Sequence, residues 1–127
     1  IGTSNGTLSV AFIATQLPSS EGGPDGAVLT ASVLVGKEGR TRPVPDMPLE
    51  RISIPTLLVH HKQDGCVACP FAATEKAMAK LIATPRKALI PFEGGESRGD
   101  PCEAFAHHGF NGIEREVVSR IAEWILK

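Results

Sequence analysis

The sequence predicts an α/β fold, in which the strands of a parallel sheet are flanked by helices. Two observations indicate this class. Helix-like and strand-like segments alternate along the 127 residues, and the strand-like segments are continuous apolar runs, as expected for strands buried on both faces. Such alternation is typical of parallel sheets whose strands are joined by helices.

Three helices are expected. The first spans residues 4–17 and is ended by Pro18. The second spans residues 70–83, and the third is opened by Asn111 as a cap with Glu114 three residues later. In the second helix the apolar residues that share a face are Phe71, Ala77, Met78, Leu81 and Ile82. The apolar stripe of the third consists of Ile113, Val117, Val118, Ile121, Trp124 and Ile125.

Three strands are expected between these helices, at residues 27–35, 55–61 and 87–92. The first is mostly apolar and β-branched, and the second turns polar at its carboxyl end. Residues 36–51 carry three prolines among charged residues and are the most loop-like part, while residues 93–102 form a polar, Gly-rich loop.

Composition excludes two classes of partner. The chain is 42% hydrophobic, which permits one domain with a modest core. Its 13 basic and 14 acidic residues are interspersed and leave a net charge of -1, so no basic stripe is available for a nucleic-acid backbone. No apolar run approaches the roughly 20 residues that a membrane-spanning helix needs.

The segment Gly2-Thr3-Ser4-Asn5-Gly6 stands directly before the first helix and has the pattern of a nucleophile elbow. A turn this sharp forces the serine into strained backbone angles, and we expect glycine on both sides because a Cβ there would collide with the neighbouring strand and helix. The competing interpretation makes Ser4 an ordinary helix N-cap. Only Ile1 precedes the motif, so the chain is expected to be a fragment.

A serine nucleophile needs a histidine base and an acid that orients the base. Asp64 follows the second predicted strand, at the carboxyl end where parallel sheets place their chemistry, although it might only cap a turn. His108 precedes a Gly-Phe pair ahead of the last helix and is favoured over His107 as the base. His60 and His61 are adjacent on a strand and point to opposite faces, so structural roles are expected for both.

Three blocks of sequence carry a resemblance to a known family: residues 2–7, 57–66 and 103–114. They resemble the carboxyl half of bacterial α/β-hydrolase-fold proteins, particularly exported ones, across nearly the whole chain. The resemblance implies a serine hydrolase that cleaves a carboxylic ester or related acyl bond, with Ser4 as nucleophile, Asp64 as acid and His108 as base. It implies the amide of Asn5 as one oxyanion donor, and neither a metal nor an organic cofactor.

The same resemblance implies that the amino-terminal half of the domain is absent from these residues. That half would carry the early strands and the loop that provides the second oxyanion amide. We therefore expect a companion amino-terminal segment or chain in addition to a small-molecule acyl substrate. The second hypothesis is a non-catalytic binding protein of the same fold.

The three cysteines indicate a disulfide near the site. Cys66 lies two residues after the acid and Cys102 six before the base, on loops expected to be neighbours above the sheet. A Cys66–Cys102 disulfide would tie these loops together and implies an oxidising compartment, so a periplasmic or secreted protein is expected. Pairing with Cys69 remains an alternative.

Two other chemistries use the same cysteines. Cys66-Val67-Ala68-Cys69, after a strand and before a helix, matches a thioredoxin-like redox motif. Alternatively, Cys66, Cys69, Cys102 and His107 would complete a tetrahedral zinc site. The redox hypothesis explains neither the serine motif nor the His-Gly-Phe block, and only one ligand pair of the zinc hypothesis has a short zinc-like spacing.

Overall fold

The computed structural model describes residues 1–36 and 42–127. Within them, four parallel strands form one sheet with the order β1-β2-β3-β4, and three α-helices flank it. In chain order the elements are β1 (Gly2–Thr3), α1 (Gly6–Gln16), β2 (Ala27–Thr30), β3 (Thr56–His61), α2 (Thr74–Lys80), β4 (Lys87–Phe92) and α3 (Glu114–Leu126). The predicted α/β class with a parallel sheet is confirmed.

The sheet is covered on both faces, which explains its continuous apolar strands. All six residues of β3 are buried. Successive side chains of a strand point to opposite faces, so Leu58 packs in the cluster with α1 and α2 while Leu57 packs in the cluster with α3. The sheet therefore forms the middle of three layers, and the carboxyl ends of its strands are free to carry loops.

The first predicted strand is shorter than expected. β2 ends at Thr30 because Ala31 adopts a left-handed conformation with φ 46°, which turns the chain out of the sheet. Val33 and Leu34 stay buried as irregular backbone, and the N–H of Leu34 donates to the carbonyl of Ala68. The prediction of a strand to residue 35 was wrong because burial alone does not distinguish a strand from a buried loop.

The second predicted helix is also shorter. Residues 71–73 form a single 3-10 turn, and α2 covers only Thr74–Lys80. Lys87 Nζ donates to the carbonyls of Met78 and Leu81 and so satisfies the end of the helix. Leu81 is buried, but Ile82 is 75% exposed and does not share the apolar face as predicted.

The last helix starts at Glu114 rather than at a cap on Asn111. The Asn111 side chain instead donates to the carbonyl of Glu96, and the Glu114 carboxylate accepts from the N–H of Gly112. The predicted stripe is only partly buried: its members that pack on the sheet are Ile113, Val117, Ile121 and Trp124. Its exposed members are Val118 and Ile125.

The predicted loop at residues 36–51 lies partly outside the described residues. Its described part contains two 3-10 turns, Val44–Asp46 and Leu49–Arg51, and both Val44 and Leu49 are buried in the cluster with α1 and α2. This part of the prediction was incomplete, because the segment contributes to the core.

Candidate active site

Ser4 stands on the sharp turn between β1 and α1. Its φ is 53°, a left-handed conformation that residues other than glycine seldom adopt. The turn is held by hydrogen bonds of the Ser4 backbone. Its N–H donates to the carbonyl of Thr30 at 3.0 Å, and its C=O accepts from the Thr7 hydroxyl at 2.6 Å. The strained serine of the predicted elbow is therefore present, at the carboxyl end of the strand.

The two glycines of the motif differ in whether the space around them requires glycine. A Cβ on Gly2 would lie 2.4 Å from the carbonyl oxygen of Gly6 and 2.8 Å from a methyl group of Val10, so only glycine fits. A Cβ on Gly6 would meet nothing within 4 Å. The prediction that a Cβ would collide is confirmed for Gly2 and wrong for Gly6.

Asp64 and His108 converge on this serine from two other loops. The first follows β3, and the second lies in a 3-10 turn, His107–Gly109, ahead of α3. His108 Nδ1 lies 2.8 Å from Asp64 Oδ2, and His108 Nε2 lies 3.0 Å from Ser4 Oγ. Asp64 Oδ1 also accepts the N–H of Cys66, so the aspartate caps its turn as well as facing the histidine.

The hydrogen bonds fix the direction in which a proton can move. Asp64 accepts the Nδ1 hydrogen of His108, which leaves the Nε2 lone pair facing the hydroxyl of Ser4. Both the aspartate and the histidine are buried, while Ser4 is half-buried. α1 receives no cap bond from a side chain, so the interpretation of Ser4 as an N-cap is not supported.

His60 lies near the same oxygen of Asp64 that His108 contacts. It is 1% exposed, its Nε2 donates to the carbonyl of Cys69 at 2.7 Å, and the same nitrogen lies 3.4 Å from Asp64 Oδ2. Burial lowers the pKa of His60, against the opposing effects of the Cys69 carbonyl and Asp64, so the ring is held neutral. The predicted structural role of His60 is therefore specifically one beside Asp64. Its position four residues before Asp64 in the sequence could have indicated this role.

His61 lies on the other face of the sheet and is held away from this group. Its Nε2 donates to the carbonyl of Gly94 at 2.8 Å, and its Nδ1 accepts the N–H of Gln63. His107 stacks on this ring at 4.4 Å between centroids. The structure therefore separates the two candidate bases: His108 reaches the serine and His107 packs against His61.

The N–H of Asn5 is available for an oxyanion. Over residues 1–36 and 42–127 it donates no hydrogen bond to the protein, and Asn5 itself is exposed beside Ser4. A free amide directly after a nucleophile is the usual position of an oxyanion donor. In the same described part of the chain, the hydroxyl of Ser32 is the one fully buried side-chain N or O atom left without a hydrogen-bond partner.

The predicted disulfide is present. Cys66 and Cys102 are bonded, with a Cα–Cα distance of 4.5 Å, and they join the loop of Asp64 to the loop before His108. Cys69 is a buried free thiol, and burial raises its pKa to about 12. Because Cys66 pairs with Cys102 rather than Cys69, the geometry does not favour the thioredoxin-like hypothesis.

Comparison of the chain with protein-family models and with curated proteins finds no match. None of the described helices combines the length and the apolar character needed to cross a bilayer.

Proposed function

We propose that this chain carries the catalytic centre of a serine hydrolase of the α/β-hydrolase fold, which cleaves a carboxylic ester or a related acyl bond. The observation that carries the proposal is the continuous hydrogen-bonded series from Asp64 through His108 to Ser4. A hydroxyl, an imidazole and a carboxylate in this order can generate a nucleophile at neutral pH.

The proposed mechanism follows from the positions of the protons. Ser4 Oγ attacks the acyl carbonyl as its proton passes to His108 Nε2, and Asp64 stabilises the imidazolium through the Nδ1 hydrogen. The Asn5 N–H stabilises the oxyanion of the tetrahedral intermediate. His108 then returns the proton to the leaving group, and a water activated in the same way releases the acyl group from Ser4.

The substrate is proposed to be a small acyl compound, with ester, thioester, amide and lactone as members of the class. Ser4 is half-buried and Asn5 is exposed, so the reacting atoms are open to a small molecule. The mechanism requires no metal and no organic cofactor.

A companion polypeptide is proposed to cover the β1 edge of the sheet. Apolar side chains on the chain near this edge are exposed: Ile1 is 73%, Phe12 55% and Ile13 47% exposed. An apolar groove runs between Ile1 and α3, on the other face of the sheet from α1, and its lining includes Val118, Ile121 and Ile125. Exposed apolar surface of this kind marks an interaction site. The companion would also provide the second oxyanion donor.

The proposed compartment is oxidising, either the periplasm or the extracellular space. The support is the Cys66–Cys102 disulfide, because such bonds persist where thiols are not kept reduced.

The test compares two serines in the full-length protein. Ser4→Ala is expected to abolish labelling by a fluorophosphonate probe and to lower kcat for a short-chain nitrophenyl ester by at least about 10⁴-fold. Ser9→Ala, on the exposed face of α1, is the matched control and is expected to retain both. A folded full-length protein whose probe labelling is the same with and without Ser4, or which binds acyl compounds without turnover, would contradict the proposal.

A further inference from the structure

A cluster of soft metal ligands lies against the proposed catalytic histidine. Cys66, Cys69 and His108 are all buried, and one possible ligand atom from each lies within 4.8 Å of the others. Cys66 and Cys69 share one tight turn, in which the Cys69 N–H donates to the Cys66 carbonyl at 2.9 Å. Cys102 is the fourth member, because its sulfur is bonded to that of Cys66.

These four groups match the donor set of a tetrahedral zinc site. Three thiolates and one imidazole form a common zinc coordination, in which the metal lies about 2.3 Å from each sulfur. Sulfurs at tetrahedral positions are then roughly 3.7 Å apart by that geometry, so ligand atoms within 4.8 Å need only a small adjustment. The histidine of the cluster is His108, not the His107 that sequence spacing indicates, because His107 stacks on His61.

The disulfide controls access to these ligands. While Cys66 and Cys102 share a bond, neither sulfur is a thiolate. A dithiol reductant transfers two electrons and two protons to the disulfide and is itself oxidised to a disulfide, which leaves two free thiols. Binding of a divalent thiophilic ion then releases the protons of the three thiols and joins the three sulfurs to a ring nitrogen of His108.

We propose that reduction of the Cys66–Cys102 disulfide opens a site for a thiophilic divalent metal, formed by Cys66, Cys69, Cys102 and His108. Both ring nitrogens of His108 are engaged in the oxidised protein, one with Asp64 and one with Ser4. Metal capture of either nitrogen breaks one of these bonds. Metal binding to the reduced protein therefore switches off the hydrolase, a consequence that rests on the proposed function, whereas the site itself does not.

The experiment uses Cd²⁺ as the probe and its thiolate charge-transfer absorption as the readout, which needs no enzymatic activity. The full chain is reduced with a dithiol, freed of reductant under anaerobic conditions, checked for helical circular dichroism and titrated with Cd²⁺. We expect one ion per reduced chain and none per oxidised chain. A protein that binds Cd²⁺ in this way but hydrolyses no ester would leave the site intact and count only against the proposed function.

Two matched variants test the ligands. His108→Asn is expected to weaken Cd²⁺ binding to the reduced chain at least about tenfold, while His107→Asn is expected to bind as the unchanged protein does. Cys69→Ala removes one sulfur without touching the disulfide, and a smaller absorption per ion is expected. Equal binding by the two histidine variants would mean that thiols of an unfolded or rearranged chain hold the ion, and this result, like Cd²⁺ binding to the oxidised protein, would overturn the proposal.

Discussion

Asp64 is the residue on which the candidate site converges. It accepts hydrogen bonds from His108 and from the N–H of Cys66, and His60 lies beside the same carboxylate. A buried carboxylate needs such partners, because an unpaired charge in the interior is strongly unfavourable. The buried carboxylate of Asp64 therefore has a partner for each oxygen: Oδ1 accepts the N–H of Cys66, and Oδ2 faces the imidazoles of His108 and His60.

Replacement of His60 should change how stability depends on pH. The pKa of His60 in the folded protein lies below its ordinary value of 6.5, so the unfolded chain binds a proton first as the pH falls. The stability that the neutral ring contributes is therefore present above about pH 6.5 and lost below it, with a slope of at most about 1.4 kcal/mol per pH unit. Asp64, His108 and His61 are the ionisable neighbours whose charges act on this pKa.

The measurement is urea unfolding of the unchanged protein and His60→Gln between about pH 7.5 and about pH 5. Glutamine has no proton to gain and retains an N–H for the Cys69 carbonyl, so a shallower loss of stability on acidification is expected. His107→Gln is the control that keeps His60. Identical pH slopes for all three proteins would show that His60 does not titrate as its burial requires.

The elbow is the element that places the serine, and its packing is decided by one glycine. β1 and α1 approach so closely at Gly2 that an added Cβ would lie 2.4 Å from backbone of the helix, whereas Gly6 has open space. A sequence motif gives the two glycines equal weight, but the structure does not.

Gly2→Ala and Gly6→Ala are therefore expected to differ. Gly2→Ala forces α1 away from β1 and should lower the free energy of unfolding by about 1–3 kcal/mol. Gly6→Ala places a better helix former at the start of α1 and should leave stability unchanged or raise it by up to about 1 kcal/mol. Urea denaturation of both variants provides the comparison, and equal losses would contradict the assigned contacts.

At the scale of the whole molecule, the Cys66–Cys102 disulfide connects two loops that are distant in sequence. It joins residues 36 apart in sequence and holds the Asp64 loop against the segment that leads to His108. Because it is buried at Cys66 and exposed at Cys102, its removal at the exposed end leaves little empty volume in the core.

Cys102→Ser is expected to lower the free energy of unfolding by roughly 3–4 kcal/mol, mainly by restoring conformational freedom to the unfolded chain. Thermal or urea unfolding measures the effect, and the chemically reduced unchanged protein should show a similar loss. A midpoint insensitive to both treatments would show that the two loops are held by other contacts.

The secondary structure could be predicted best where burial and hydrogen bonding agree. β4 has the predicted bounds and β3 begins one residue later than predicted, because both are bounded by turn residues. β2 was overextended because the buried run from Ala31 to Leu34 lacks any local signal for the left-handed turn at Ala31. α2 was overextended because Lys87, at the start of the following strand, donates to the carbonyls of Met78 and Leu81 and so satisfies the end of the helix.

The sequence by itself determined the α/β class, the glycine at position 2 and the candidate serine and aspartate, and it favoured His108 as the base and Cys102 as the partner of Cys66, because each depends on residue type at the end of an element. The tertiary structure decided between the alternatives that the sequence left open, placing His108 against Ser4 and bonding Cys66 to Cys102, and it alone showed that His60 adjoins Asp64 and that Gly6 is free of contacts. These outcomes depend on distances between atoms that are far apart along the chain, and a one-dimensional pattern does not encode such distances.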